Sequence, residues 1–481
     1  MQKTSQSQRW IFLLIVSLGL FMVSADNSIL FSALPTLRES LNTTELQGLW
    51  IVNAYPLVLA GLLIGTGTLG DKIGHRRMFE IGLIIFGIAS LIAAFSPNAQ
   101  LLITARALLG FGAATLMPAT LALIRLTFID SKERNTAIGI WGSIATIGAA
   151  AGPVLGGFLL ENFWWGSVFL INIPIVVLTL FSTHIFAPEN QADPQQSWDF
   201  LSSIWAMLAM TGFVFFIKEL THFPLNLLYI TGSALLTLVS SWAFVHRQKH
   251  LVNPLLSFDI FRNRLFSIGV LSAALSMFIV AGTELLTTQR FQIALGFSPL
   301  QAGLITAAIA LAAFPASILG GANLHRIGFR PIISGGFALV ALGLFLGVYA
   351  IWNNLFALLI FGFITAGFGI GLIMSVASTA IIGSAPAHQS GMASAMEEVS
   401  YELGTVLSVA LMGSLMSMFY TLRAPQSVAH SMDAGGMQAA SAIDSAYATT
   451  LIITAIIAAT TAIGTFIFFN GNPKETKYAH E

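Results

Sequence analysis

The 481 residues are 56% hydrophobic and only 9% charged, with a mean hydropathy of +0.82. A soluble chain of this length carries about a quarter charged residues, so the composition excludes an ordinary soluble protein and places this one in a bilayer. The formal net charge is zero, which gives no case for a nucleic-acid partner, and the absence of cysteine removes disulfides, thiolate metal sites and thiol catalysis together.

A helix crossing the hydrocarbon core needs roughly 20 apolar residues. Scanning for such runs predicts fourteen spans. The first, 10–32, is too long for a signal-peptide core and lacks a small-residue cleavage site, so it reads as a retained span carrying Asp26. Span 2 (47–70) holds Trp50, Asn53 and Tyr55 and runs into the loop "LGDKIGHRR" (69–77). Spans 3 (78–96) and 4 (100–126) follow, the latter with Arg106 inside it. Span 5 (135–160) contains "GAAAGPVLGG", span 6 is 165–187, and spans 7 (200–217) and 8 (225–246) follow. Spans 9 (265–292, with Glu284), 10 (299–321), 11 (331–350) and 12 (354–383) lead to span 13 (389–420), in which Glu397, Glu398 and Glu402 cluster. Span 14 is 447–470. The connectors are short, the longest being near 188–199, 247–264 and 423–446.

Orientation follows from Lys and Arg. An even count puts both termini on one side, and that side holds sixteen basic residues against four, Arg38, Lys218, Arg290 and Arg423, on the other. The excess puts both termini in the cytoplasm of a cell whose cytoplasmic membrane the chain spans. The loop 188–199 carries no basic residue, a local exception that the total outweighs.

The chain repeats itself. "LGDKIGHRR" (69–77) returns as "NLHRIGFRP" (323–331), offset by 254, and "GFGAATLM" (110–117) as "GFGIGLIM" (367–374), offset by 257. Solute carriers are often built from such duplicated halves. Spans 1–6 therefore correspond to 9–14, with 7–8 inserted: an all-α membrane protein of six plus two plus six helices. The expected domains are 1–187, the inserted pair with its linkers at 188–264, and 265–481.

Several residues carry chemistry. Asp71, Arg76 and Asp130 share the cytoplasmic side, where an arginine between two acids can latch helices, with Gly70 and Gly74 allowing a tight turn and Gly67 in the same stretch; a solvated positive loop is the plainer alternative. Gly148, Gly152, Pro153, Gly156 and Gly157 place small residues at four-residue spacing, which suits close helix packing and, through it, a seal against leak. By helix rise, Asp26 and Arg106 fall at similar depths, roughly 20–24 Å above the cytoplasmic edge, where pairing lowers the cost of both charges. A static ion pair is the alternative there. Glu284 lies toward the outer end of span 9, either reaching the interface or guarding the mouth of a cavity. Glu398 and Glu402 share one helical face with Glu397 beside them. Each charge at a helix centre costs about 2.5–3.5 kcal/mol, so three ionised together are prohibitive, and a cluster that exchanges protons for an arriving cation is the better account, with exposure at the membrane surface the plainer alternative. Aromatic residues nearby, including Trp50, Tyr55 and Tyr401, suit a flat or quaternary organic cation.

"GTLGDKIGHRR" (67–77) resembles the loop signature of the major facilitator superfamily, and "LLITARALLGFG" (101–112) its span-4 arginine motif. "GAAAGPVLGG" (148–157) resembles the span-5 motif of its antiporters. With "SADNSILFSALP" (24–35), "LWIVNAYPLVLAG" (49–61) and "EEVSYELG" (397–404), the whole chain is similar to the 14-span drug:proton antiporter family, in the branch that exports methyl viologen and quaternary ammonium compounds. The resemblance implies a secondary transporter of lipophilic organic cations coupled to protons, working as a monomer in membrane lipid, with no cofactor or metal. Such exporters commonly carry an acid where this chain has Asn53. No phosphate-binding G-x-x-x-x-G-K-[ST] occurs, so ATP is not the expected energy source. Two rivals remain at this level: an importer or metabolite carrier on the same fold, and a membrane-embedded hydrolase using paired carboxylates.

Overall fold

The computed structural model describes residues 6–193, 199–221, 225–251, 254–256, 258–385, 390–425 and 437–468. Among them the structure is helical, with no strand. Fourteen long helical stretches follow in order: α1 Gln6–Ser40, α2 Glu45–Ile73, α3 His75–Ala94, α4 Ala99–Thr127, α5 Ser131–Asn162, α6 Ser167–Phe186 (interrupted by a turn at Ile171), α7 Phe200–Thr221 and α8 Leu227–His250. Then come α9 Arg264–Ala294, α10 Pro299–Ile327, α11 Phe329–Trp352, α12 Phe356–Gly383, α13 Ser390–Arg423 and α14 Met437–Phe468. Thirteen of these are long and apolar enough to cross a membrane, and α5 completes the set. The protein is a multi-pass membrane protein.

The helices overrun the apolar stretches that announce them. Apolar counting detects only the part that lies in lipid, whereas backbone hydrogen bonding continues for as long as nothing breaks it. Helix α14 differs most. It begins at Met437, not near 447, so Asp444 and Ser445 are helical residues and not part of the 423–446 connector. Residues 426–436 of that connector, Lys3, Lys474 and Lys477, and the surroundings of Gly67, Lys132 and Arg134 lie outside the described residues.

The chain divides into two compact units, Met1–Thr211 with Leu236–Leu255, and Gly212–Leu235 with Leu256–Glu481, so α7 and α8 each contribute to both. Within the first unit, α1 packs on α5, α2 on α4, and α3 on α4 and α6. Within the second, α9 packs on α13, α10 on α12, and α11 on α12 and α14, which is the same pairing eight helices later.

The duplication extends to atomic detail. Thr44 and Gln47 close a capping box at the start of α2, and Ser298 and Gln301 close its counterpart 254 residues on, at the start of α10. Gly74, with φ 93°, ends α2, and Gly328, with φ 87°, ends α10, each in a conformation that a side chain resists. In α4, a Cβ on Gly110 would lie 2.4 Å from the Tyr55 carbonyl oxygen of α2; in α12, one on Gly367 would lie 2.2 Å from that of Ile309 in α10. Two sequence strings thus mark two copies of one packing scheme, in which helix backbones touch where lipid offers no hydrophobic force to join them.

Candidate functional site

In the first unit the polar centre is built by α1, α2, α4 and α6. Arg106 of α4 is fully buried, and its Nη1 donates to Asp26 Oδ2 of α1 at 2.6 Å. The other carboxylate oxygen, Oδ1, accepts from Asn172 Nδ2 of α6 at 2.9 Å, and the same amide reaches Ser90 Oγ of α3 at 3.2 Å. Arg106 Nε donates to the Ile51 carbonyl of α2 at 3.2 Å, and its guanidinium lies 4.6 Å from the ring centre of Tyr55. A charge pair in a low-dielectric interior persists only with such further bonds around it. Arg106 Nη2 and Asn53 Oδ1 are buried with no hydrogen-bond partner among the described residues, a donor and an acceptor on neighbouring helices of this network. Trp50 is partly buried one turn from Asn53 and Tyr55.

The glycines of α5 clamp the turn of α1 that carries Asp26. A Cβ on Gly148 would meet the Phe21 carbonyl oxygen at 2.9 Å, one on Gly152 would meet Ser28 Cβ at 2.6 Å and the Ala25 carbonyl oxygen at 2.9 Å, and one on Gly156 would meet Ile29 at 3.0 Å. Ser28 Oγ donates to the Ala149 carbonyl at 2.8 Å across the same seam. Pro153 and Gly157 are buried beside it. The small-residue stripe therefore holds α1 by backbone contact on both sides of its acid.

At the end of α2, the loop residues pair differently from a simple acid–arginine–acid latch. Asp71 Oδ1 accepts from His75 Nε2 at 2.9 Å, while Arg76 Nε binds Glu80 Oε1 at 3.0 Å. The remaining Arg76 nitrogens reach the carbonyls of His184, Ala187 and Pro188 at 3.4–3.5 Å, at the end of α6, where helix carbonyls lack partners of their own. Asp130 caps α5 by accepting from the Glu133 amide at 2.9 Å. Asn190, in the connector after α6, accepts from the Arg77 amide at 3.1 Å and donates to the Ile73 carbonyl at 2.8 Å. It sits against Gly74, whose missing Cβ would lie 2.1 Å from Asn190 Oδ1.

In the second unit the acids lie on α13. Glu397 and Glu402 are each 8% exposed, and Glu398 is partly buried. Tyr401 Oη donates to Glu397 Oε1 at 3.0 Å, and the Ser378 hydroxyl of α12 also bonds this carboxyl. Helix α13 lies on α9 by a contact as close as that of α5 on α1: a Cβ on Gly404 would be 2.1 Å from the Ala274 carbonyl oxygen, and Ser408 Oγ donates to the Phe278 carbonyl. Glu284 is partly buried on α9. Further along α9, Arg290 Nε donates to Asp444 Oδ1 of α14 at 2.7 Å, and Thr287 Oγ1 and Tyr447 Oη of α14 lie 2.9 Å apart. Residues Arg290–Ala294 form a π turn, a backbone irregularity that often marks working parts of helices. No group of His, Asp and Glu suited to a metal occurs among the described residues.

Sequence reading missed Asn172, Ser90 and the Arg290–Asp444 pair. The isolated amide of Asn172 in the apolar "LINIPIV" was the available signal for the first, and Asp444 was hidden by the assignment of its segment to a loop.

The Major Facilitator Superfamily model matches residues 16–287 and 264–480. The chain is 37% identical to the multidrug efflux pump LfrA of Mycolicibacterium smegmatis over 86% of its own length and 82% of the relative's. It is 36% identical to the methyl viologen resistance protein SmvA of Salmonella typhimurium, over 85% and 83%, and 30% identical to the multidrug resistance protein Stp of Mycobacterium tuberculosis, over 84% and 75%. Among solved structures, a bacterial homologue of the lysosomal transporter Spinster, in an inward-facing and unoccupied conformation, superposes with a TM-score of 0.66 at 15% identity, covering 99% of this chain and 98% of that one. Duplicated six-helix packing, a buried acid–arginine network and these matches together place the chain in the Major Facilitator Superfamily, as a membrane transporter of small molecules and not an enzyme.

Proposed function

We propose that the protein exports lipophilic organic cations, of the quaternary ammonium, methyl viologen and cationic dye type, across the cytoplasmic membrane in exchange for protons. The observation that carries this reading is the environment of Glu397. It is a buried carboxyl on a membrane-spanning helix, and its partners among the described residues are two hydroxyls, with Glu398 and Glu402 close by on the same helix. A carboxyl held by neutral donors is satisfied by a proton or by an incoming cation, whereas one tied to a resident base is not free to choose. Asp26 is of the second kind, paired to Arg106, so we assign it to coupling and the α13 cluster to direct exchange.

The energetics favour several acids. A membrane potential acts with about 2.3 kcal/mol per charge per 100 mV, so expelling a monocation requires more than one entering proton, or a pH gradient as well. On this reading cation leaves as the acids take protons on the outer side, and the protons are released after the transporter turns inward. Trp50, Asn53, Tyr55 and Tyr401 supply the ring and amide surfaces that a cation without strong hydrogen-bond donors can use. Glu284 sits on the outward path, and the Asp71–His75 and Arg76–Glu80 contacts hold the inner end of α2 and α3 until each cycle breaks them, while Asp130 caps α5 on the same side. Both termini face the cytoplasm, and one chain suffices, since every group invoked belongs to it.

Single replacements Glu397→Gln, Glu398→Gln and Glu402→Gln, followed by ethidium efflux from energised vesicles, test the assignment. At least one should abolish efflux while leaving the protein in the membrane at the parental level. Parental efflux in all three would remove the cluster from the mechanism.

A further inference from the structure

The inserted helices α7 and α8 take no part in the sites above, yet they carry a groove of their own. It holds about 420 Å³ and lies where the start of α7 meets the end of α8. Leu201 and Trp205 line one side, and Trp242, His246, Arg247 and His250 the other. Trp242, His246 and His250 fall four apart on one face, and their rings lie in series: Trp242 stacks on His246 with centroids 5.1 Å apart and 16° between planes, and His250 lies 4.4 Å from His246, tilted by 42°.

The hydrogen bonds leave donors pointing out of the protein. Arg247 gives Nε and Nη2 to Asp199 at 2.9–3.1 Å, and its Nη1 has no protein partner among the described residues. His250 Nδ1 lies 2.7 Å from the His246 carbonyl oxygen, which only accepts, so Nδ1 carries the proton, and Nε2 adds a second donor only in the imidazolium form, the form that pairs with a phosphate. The indole N–H groups of Trp205 and Trp242 also make no protein hydrogen bond among the described residues. Four groups that are or can become cationic, His246, Arg247, Lys249 and His250, lie within five residues, against Asp199 as the acid bonded to Arg247.

Below this polar end the same helix is open and apolar. Leu235, Leu238 and Trp242 are 63%, 69% and 66% exposed. From the combination of a bare aliphatic face, a tryptophan at its end and a cluster of basic groups just beyond, we infer that this groove is a binding site for an anionic phospholipid. The acyl chain lies along Leu238 and Trp242. The phosphate is held by His250 Nε2, Arg247 Nη1 and the indole of Trp205, where tryptophan and basic side chains meet the headgroup layer. On the orientation proposed above, that layer belongs to the inner leaflet. A second copy of the chain is a poorer occupant, because a two-fold contact here would set each basic cluster against itself. The inference depends on the chain spanning a bilayer and not on which solute it moves.

Native mass spectrometry of the full-length protein in detergent, titrated with phosphatidylglycerol or phosphatidylcholine of identical acyl chains, tests this. The parent should retain phosphatidylglycerol at least fivefold more tightly, and the double variant His246→Gln/His250→Gln should bring the two lipids to within twofold. Trp205→Leu should weaken both lipids. Equal affinity for the two lipids in the parent, an unchanged preference in the double variant, or displacement of phosphatidylglycerol by millimolar inorganic phosphate would each overturn the assignment. So would a change in self-association on substituting His246 and His250, which would mark a protein interface.

Discussion

Asp26 and Arg106 offer the sharpest test of how this protein tolerates charge in its core. In Asp26→Asn, one amide oxygen can still accept from Arg106, but the new NH2 faces Asn172 Nδ2, a donor against a donor where the parent has a 2.9 Å bond. If Asn172 turns its oxygen inward to relieve this, it gives up the donor that it shares with Ser90 Oγ. Either way Arg106, fully buried, keeps its positive charge and loses its counter-ion. Removing one partner of a buried pair costs about 3–5 kcal/mol. Spread over a helical unit of this size, that corresponds to a melting temperature lower by on the order of 10 °C. Adding Arg106→Gln removes the orphaned charge, so the double variant should recover more than half of the lost stability. It should not recover ethidium efflux if the pair has a coupling role. Thermal unfolding of the purified protein in detergent, with efflux measured in parallel, separates the two effects. A single variant as stable as the parent would refute the burial argument, and parental efflux in the double variant would refute the coupling role.

Four further outcomes follow from the same structure. Gly152→Ala forces a methyl group to 2.6 Å from Ser28 Cβ and 2.9 Å from the Ala25 carbonyl oxygen, so it should cost about 1–3 kcal/mol and slow efflux; Gly232→Ala, with nothing within 4 Å, should be neutral or slightly stabilising, and a thermal-shift comparison of the two decides. At the foot of α7, burial alone would raise the Asp199 carboxyl, but hydrogen bonds from Arg247 and Ser202 outweigh it and hold the group below its ordinary 3.8. A depressed carboxylate stabilises the fold above its unfolded value, so the stability gap between parent and Asp199→Asn should be constant from pH 5 to 8 and shrink as the pH falls below 3.8. Asn53→Asp places an acid next to the Asp26–Arg106 network and should shift export toward dicationic dyes; unchanged discrimination between mono- and dications would count against an acid at this position setting charge preference. An uncoupler should stop efflux in the parent, and continued accumulation of dye against its gradient in de-energised vesicles would exclude proton exchange.

Much of this protein is written in its sequence because lipid imposes blunt rules. A span must be apolar for about 20 residues, so the helices can be counted, and a charge inside one is so costly that Asp26, Arg106 and the Glu397–Glu402 cluster announce themselves. The duplication is legible for a related reason: Gly74 and Gly328, or Gly110 and Gly367, stand where no other residue fits, so both copies keep the same letters. Partners are another matter. Sequence gives the depth of Asp26 and Arg106 but not their rotation about the helix axis, and only packing shows that Asn172 completes the pair from 146 positions away. The loop after α2 makes the same point, since Asp71 and Arg76 are visible in the string, yet His75, Glu80 and the carbonyls ending α6 are what they bind. Composition and spacing decide which groups must be satisfied inside a membrane. Which groups satisfy them depends on distances of a few ångströms between helices far apart in the chain, and tertiary structure alone sets those.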